Sequence, residues 1–424
     1  MYRVCLTIKM EYGVLGVLVQ VAFEAGAPET SNEELGSFIF ALMALIFGGI
    51  EGGATNSRIV LLNSHGEKLG YAEGPHTNQW LIGMSEAVKR LFDLIDAAIH
   101  DANLPPQTPI TYLGIALSGV DREDTKKQLL AAMRAVRQDF AGSVQICNDA
   151  IGSFLTATDE PSIVLIAGTG SVCKFVREDL TFERVGGYGS LLGDGGGGYY
   201  TAHYLLTKFL AIEERLVCWE HDITPVRELI YSHFNIKDST GLLPHFYEHF
   251  DKSKVAALCQ LMSQAAREGE PLCRKAFRKS GIQLGRHPVL PDRCRCGPGA
   301  SHPSRPSYCR CGSHSTVTHP PAFPKDELVV ICCGKVFRSW DLLHEGFRSV
   351  FDEDTIPFLQ WRGTLKLVKL NTTAGYGAAR LVARLNAGIA LPIPADATVP
   401  LDTIAIDCSE LRWSSARHSL KQFQ

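Results

Sequence analysis

The sequence predicts a two-domain mixed α/β protein, and three observations carry that reading. A strand, a glycine-containing turn and a second strand occur twice, at Gly48–Thr55 and at Gly168–Ser171. Strand-like apolar runs alternate with stretches of helical periodicity, the pattern of sheets covered by helices. The chain has 424 residues, enough for two packed units of ordinary size. Its 45% hydrophobic and 21% charged content is that of a globular protein. A net charge of −3 lacks the basic face that nucleic-acid binding needs. The thirteen cysteines include Cys147, Cys173, Cys332 and Cys333 on expected strands or beside glycines, so they read as reduced and intracellular.

Residues 1–42 do not match the pattern of the rest of the chain and read as an N-terminal extension. The apolar runs Val14–Phe23 and Leu35–Phe47 are separated by the polar, acidic segment Glu24–Glu34. Both are shorter than the roughly 18–20 apolar residues that span a bilayer, so no membrane segment is expected. The first domain is placed at 43–160. Phe47–Gly53 and Ile59–Leu62 read as hairpin strands, with Thr55 at the tip. Glycines there let the backbone approach a ligand, and a hydroxyl with turn N–H groups can face a phosphate. The spacing is neither that of a P-loop nor that of a dinucleotide fingerprint. A third strand near Lys68–Glu73, a helix from about Ile82 to Ala102 and a strand at Thr111–Ser118 come next. A helix over about Arg122–Arg137 then leads to a strand at Val144–Cys147, ending in Asn148-Asp149.

The second domain is placed at 161–287 and 325–390. Ser162–Ala167 leads into Gly168-Thr169-Gly170-Ser171, and strands resume at Val172–Val176 and Phe182–Val185. Two such turns, one per domain, are expected to hold a polyphosphate between them. A glycine-dense loop over 186–198 carries one carboxylate, Asp194, and opens a long helical section to about His287. Leu328–Cys332 ends at Cys333-Gly334-Lys335, Leu365–Leu370 reads as the last strand, and Ala374–Asn386 as the last helix, with its packing on the first domain left open. Residues 391–424 read as a tail. The segment 288–324, rich in Pro, Ser, Arg, Gly and His, reads as a disordered insertion. Its Cys294-Arg-Cys296 and Cys309-Arg-Cys311 pairs leave open a thiolate zinc site, although the spacing is tighter than the usual knuckle.

These ordered signs resemble the eukaryotic N-acetylglucosamine kinases, members of the sugar-kinase, Hsp70 and actin superfamily with a BadF/BadG-type ATPase domain. They are Gly48-Gly49-Ile50-Glu51-Gly52-Gly53-Ala54-Thr55, Thr77-Asn78-Gln79-Trp80, Leu117-Ser118-Gly119, Asp149-Ala150-Ile151-Gly152, Gly168-Thr169-Gly170-Ser171 and Gly193-Asp194. Gly334, Ser339-Trp340 and Glu345-Gly346-Phe347 fit the family's adenosine side, and the resemblance spans about 43–287 and 328–386. It implies a two-domain actin-like (ribonuclease H-like) ATPase fold with a nucleotide and sugar cleft between the domains.

The resemblance also implies phosphoryl transfer from ATP, with Mg2+, to the 6-hydroxyl of N-acetylglucosamine, in a cytoplasmic homodimer. It makes Asp149 the base that takes the hydroxyl proton, although Asp149 also suits the cap of the adjoining helix. Asn78, Gly187, Tyr188, Gly189 and Asp194 match sugar contacts; Thr55, Thr169, Gly170, Gly334, Lys335 and Ser339 match the ATP side. No side chain is assigned as a metal ligand. Asp121 reads as a helix cap. The chain departs from the family at Ala54, at Lys335, at Tyr188 (commonly Trp) and at Gly195 and Gly197, which are expected to loosen the sugar loop. A related amino-sugar or hexose kinase, or a weakened sugar-binding pseudokinase, shares these features. An activator ATPase for radical dehydratases shares the fold but would need cluster-bridging cysteines.

Overall fold

The computed structural model describes residues 4–6, 21–23, 45–53, 56–120, 122–288, 327–351 and 363–406. Ala54, Thr55, Asp121, both Cys-x-Cys pairs and most of the 1–42 extension lie outside the described residues. Two short strands, β1 (Val4–Leu6) and β2 (Val21–Phe23), pair antiparallel. The described residues form two compact units. One holds the described residues to Glu160 with Val176–Thr181 and Lys369–Val399; the other holds Pro161–Phe175, Phe182–Val368 and the described residues from Pro400.

The first unit is built on β3 (Phe47–Gly52), β4 (Asn56–Leu62), β5 (Lys68–Pro75), β6 (Ile110–Leu117) and β7 (Ala141–Asn148), in spatial order β5-β4-β3-β6-β7. The β3–β4–β5 meander is antiparallel, whereas β3, β6 and β7 run parallel. Helix α1 (Gln79–Ile82) is separated from α2 (Met84–Asp101) by Gly83, at φ 79°. The sequence pattern had no break there. Helices α3 (Glu123–Val136) and α4 (Asp149–Ala157) complete the N-terminal part. Leu91, Leu94, Ile95 and Ile99 of α2 are buried in one cluster with Ile50, Ile59, Leu61, Leu113 and Ile115 of the sheet. Burial of such side chains stabilises by about 1.5–3 kcal/mol each.

The second unit repeats the order. Its strands are β8 (Ser162–Ala167), β9 (Ser171–Val176), β10 (Phe182–Gly186), β11 (Glu327–Cys333), β12 (Gly363–Leu370) and β13 (Thr398–Ile406), arranged β10-β9-β8-β11-β12-β13. Strands β8 and β11 are parallel, with Val330 opposite Ile163. Around this sheet are α5 (Gly198–Glu213), α6 (Thr224–Phe234), α7 (Lys252–Arg267), α8 (Pro271–Arg286) and α9 (Trp340–Arg348). Phe209, Phe234, Phe277, Phe337 and Phe347 fill its core.

One placement differs from the sequence reading, and one settles where the last helix packs. Residues 398–406 form an edge strand rather than a tail, and Ile404 and Ile406 are buried in the second core. Helix α10 (Gly375–Val382), whose packing on the first domain the sequence reading left open, belongs to the first unit. It buries Ala379, with Ala383 and Leu391, against Phe47, Val60 and Leu62, covering the sheet face that α2 leaves open. The approach needs glycine: a Cβ on Gly49 would lie 1.8 Å from the carbonyl oxygen of Gly375.

Candidate active site

In the first unit the register collects the site residues at one sheet edge. Gly52 lies opposite Leu117, and Leu117 opposite Asn148, so three neighbouring parallel strands end level. The carboxyl ends of parallel strands are where open α/β sheets bind ligands. The Gly53 turn, Ser118-Gly119 and Asp149 therefore leave the sheet side by side. With strands about 4.8 Å apart, Asp149 starts two strand positions, roughly 10 Å, from the hairpin turn.

Asp149 is half-buried in the first turn of α4. The cap of that helix is Asn148, whose Oδ1 accepts the Ile151 N–H at 3.0 Å. The N-cap of α4 is thus Asn148, not Asp149. Asn78 caps α1, its Oδ1 accepting the Trp80 N–H at 3.0 Å. The Trp80 ring is exposed, and its indole N–H donates to the Gly119 carbonyl at 3.1 Å. The side-chain hydroxyls of Ser57 and Thr77, 2.9 Å apart, tie the Asn78 loop to the hairpin.

In the second unit the turn 168–171 joins β8 to β9. Thr169 and Gly170 are half-buried, and space opens beside Gly168, where a Cβ would meet nothing within 4 Å. Helix α5 and its lead-in donate back to this turn: Gly198 N–H to the Gly168 carbonyl at 2.8 Å, Tyr199 N–H to the Thr169 carbonyl at 3.0 Å. The Ser171 hydroxyl donates to the Gly195 carbonyl at 2.9 Å. The glycine-dense loop is therefore tied to the phosphate-type turn. Gly197 rests directly on Gly170, where a Cβ would come within 2.7 Å of backbone. Glycine at this position thus serves close packing, a different effect from the loosening expected of it.

Asp194 is 5% exposed, with φ 57°. One oxygen accepts the Gly189 N–H at 3.1 Å and the other the Lys252 ammonium at 3.0 Å. Gly187 and Gly189, at φ 73° and 87°, shape the loop around it. Tyr188 is exposed, and the Arg184 guanidinium lies 4.6 Å from its ring centre. His287, buried beside Gly186, has its pKa lowered from 6.5 by desolvation. Gly334 follows β11 at φ 103° and packs on the Ala167 carbonyl, level with the 168–171 turn. Lys335 is exposed, whereas Ser339 is buried at the N-cap of α9.

The structure thus gathers Thr169, Gly170, Gly187, Tyr188, Gly189, Asp194 and Gly334 in one unit, and Asn78 and Asp149 in the other. Lys252 was absent from the sequence reading, because a helix-opening lysine 58 positions after Asp194 carries no local mark. Among the described residues no three His, Cys, Asp or Glu side chains converge as a metal site. None of the described helices is long and apolar enough to cross a membrane.

The family model for the BadF/BadG/BcrA/BcrD ATPases matches residues 49–279, more than half of the chain. The chain belongs to that ATPase family. An N-acetyl-D-glucosamine kinase from Dictyostelium discoideum is 26% identical over 240 residues, covering 54% of this chain and 73% of that protein. The glucosamine kinase GspK of Vibrio cholerae is 29% identical over 244 residues, covering 56% and 76%. Among solved structures, a candidate N-acetylglucosamine kinase from Chromobacterium violaceum matches with TM-score 0.58 and 21% identity, covering 80% of this chain and 99% of that one. Together with the repeated strand order, the matches establish the two-domain actin-like ATPase fold.

Proposed function

We propose that the protein is an N-acetylglucosamine kinase, transferring the γ-phosphoryl group of ATP to the sugar 6-hydroxyl. The observation that carries this reading is the placement of Asp149 at the carboxyl edge of β7, level with the glycine hairpin. Phosphoryl transfer asks the protein for positioning, charge neutralisation and a proton acceptor. Asp149 accepts the proton of the attacking hydroxyl. Asn78 and Asp194 read sugar hydroxyls, with Gly187, Tyr188 and Gly189 shaping that side. Thr55, Thr169 and Gly170 face the phosphates, and Gly334, Lys335 and Ser339 the nucleoside end.

The residues present fit a magnesium ion carried by the nucleotide. Mg2+ keeps several waters and binds through substrate phosphates with few protein carboxylates, so no dedicated cage is required. When bound it neutralises phosphate charge. The resemblance further supports a cytoplasmic homodimer.

A second reading, glucosamine kinase, is favoured by the 29% identity to GspK. An ATP-consumption assay over N-acetylglucosamine, glucosamine, N-acetylmannosamine and glucose, with product mass, tests both. Sugar-dependent turnover highest on N-acetylglucosamine is expected. A preference for the free amine selects the second reading, and sugar-independent or absent turnover overturns both.

A further inference from the structure

We infer that Lys252 is a positioning residue for the sugar, acting through the carboxylate of Asp194. The inference rests on the reading of Asp194 as a sugar contact. Asp194 is almost fully buried, and a buried carboxylate needs donors on both oxygens to keep one orientation. The backbone N–H of Gly189 holds one oxygen and the Lys252 ammonium the other, at 3.1 and 3.0 Å. With both oxygens held, the carboxylate plane is fixed, and its remaining lone pairs keep a set direction towards incoming hydroxyls.

The lysine is itself aimed. It is the first residue of α7, whose cap Asp251 accepts the N–H groups of Ser253 and Lys254 at 2.7 and 3.2 Å. A cation at a helix N-terminus opposes the helix dipole, so Lys252 is at a local disadvantage there. Its compensating partner is Asp194. The same ion pair abuts the phosphate-type turn: a Cβ on Gly170 would fall 2.3 Å from the Asp194 carboxylate and 3.4 Å from the Lys252 nitrogen. Lysine, carboxylate and turn thus form one packed unit.

The test is steady-state kinetics on the full chain for Lys252→Met, Lys252→Arg, Asp194→Asn and the Lys252→Met/Asp194→Asn double variant, each with a thermal melt. A charge-assisted hydrogen bond of this kind is worth about tenfold or more. Lys252→Met should raise the sugar KM by that factor, leaving the ATP KM unchanged and kcat within a few fold. Lys252→Arg should recover most of the loss. In the Asp194→Asn background Lys252→Met should add little, because coupled residues are non-additive. If Asp194→Asn raises the sugar KM while Lys252→Met does not, or if the two effects simply add, the positioning role is wrong and the sugar assignment stands. A rise in the ATP KM instead would also overturn it, moving the ammonium to the phosphates. If Asp194→Asn itself leaves the sugar KM unchanged, the assignment of Asp194 is what fails. Should Lys252→Met not fold, Lys252→Gln, which also removes the ammonium, carries the same readouts alone and with Asp194→Asn.

Discussion

The carboxylate of Glu51 accepts the hydroxyl of Thr373 at 2.6 Å, across 322 positions of sequence. The same oxygen accepts the Ala374 N–H at 3.1 Å, while Thr373 Oγ1 accepts the Gly375 N–H at 3.1 Å. The glycine-rich hairpin is thereby pinned to the start of α10. Hydrogen bonds to a charged group are worth about 1.5–3 kcal/mol. Glu51→Ala should therefore destabilise the first unit by about that much, read as a lower melting temperature. An unchanged melt would mean the contact contributes nothing net.

Gly377 packs on α4 so closely that a Cβ would lie 1.9 Å from the Gly152 carbonyl oxygen. Overpacking of this kind costs about 1–3 kcal/mol, and more where the neighbour is backbone. Gly377→Ala should lower stability by at least that amount in chemical denaturation. Gly168→Ala is the control, since its Cβ would meet open space. Equal denaturation midpoints for the two variants would contradict the packing.

A positioned base contributes about 10²–10⁴ in rate. Asp149→Asn keeps the side chain's shape and removes proton acceptance, while Asn148 continues to cap the helix. Turnover should fall by that order with the melt unchanged and the sugar still bound in equilibrium titration. Near-normal kcat would remove Asp149 from the base role.

His287 is buried, and desolvation lowers its pKa from 6.5. In the unfolded chain the His287 imidazole takes its proton near 6.5; in the folded protein it does so only at lower pH. Stability is therefore complete above about pH 6.5 and is lost as pH falls below it. Melting temperatures between pH 7.5 and 5 should decline on the acid side, and His287→Gln should flatten that decline in part. An identical slope in the variant would show that His287 does not contribute.

What was legible in the sequence was whatever local periodicity or turn chemistry encodes. The apolar positions of α2 and the two strand–turn–strand units were readable because burial imposes their spacing. Strand β13 was hidden because Thr398–Ile406 mixes polar residues and Pro400 into its pattern, and its pairing with β12 is non-local. Asn148 and Asp149 are both good cap residues in adjacent positions, so backbone dihedrals rather than composition choose between them. The Asp194–Lys252 pair exists only after two loops and a helix have packed.

The return of α10 to the first sheet has a consequence for synthesis. The face carrying Phe47, Val60 and Leu62 is covered by Ala379, Ala383 and Leu391, which are translated only after Pro161–Val368. At about 5–20 residues per second, the ribosome takes on the order of 10–40 s over that interval. Throughout it Phe47, Val60 and Leu62 of the nascent first unit lack the Ala379, Ala383 and Leu391 side chains that cover them in the folded protein. The first unit can therefore complete its core only after most of the second has been synthesised.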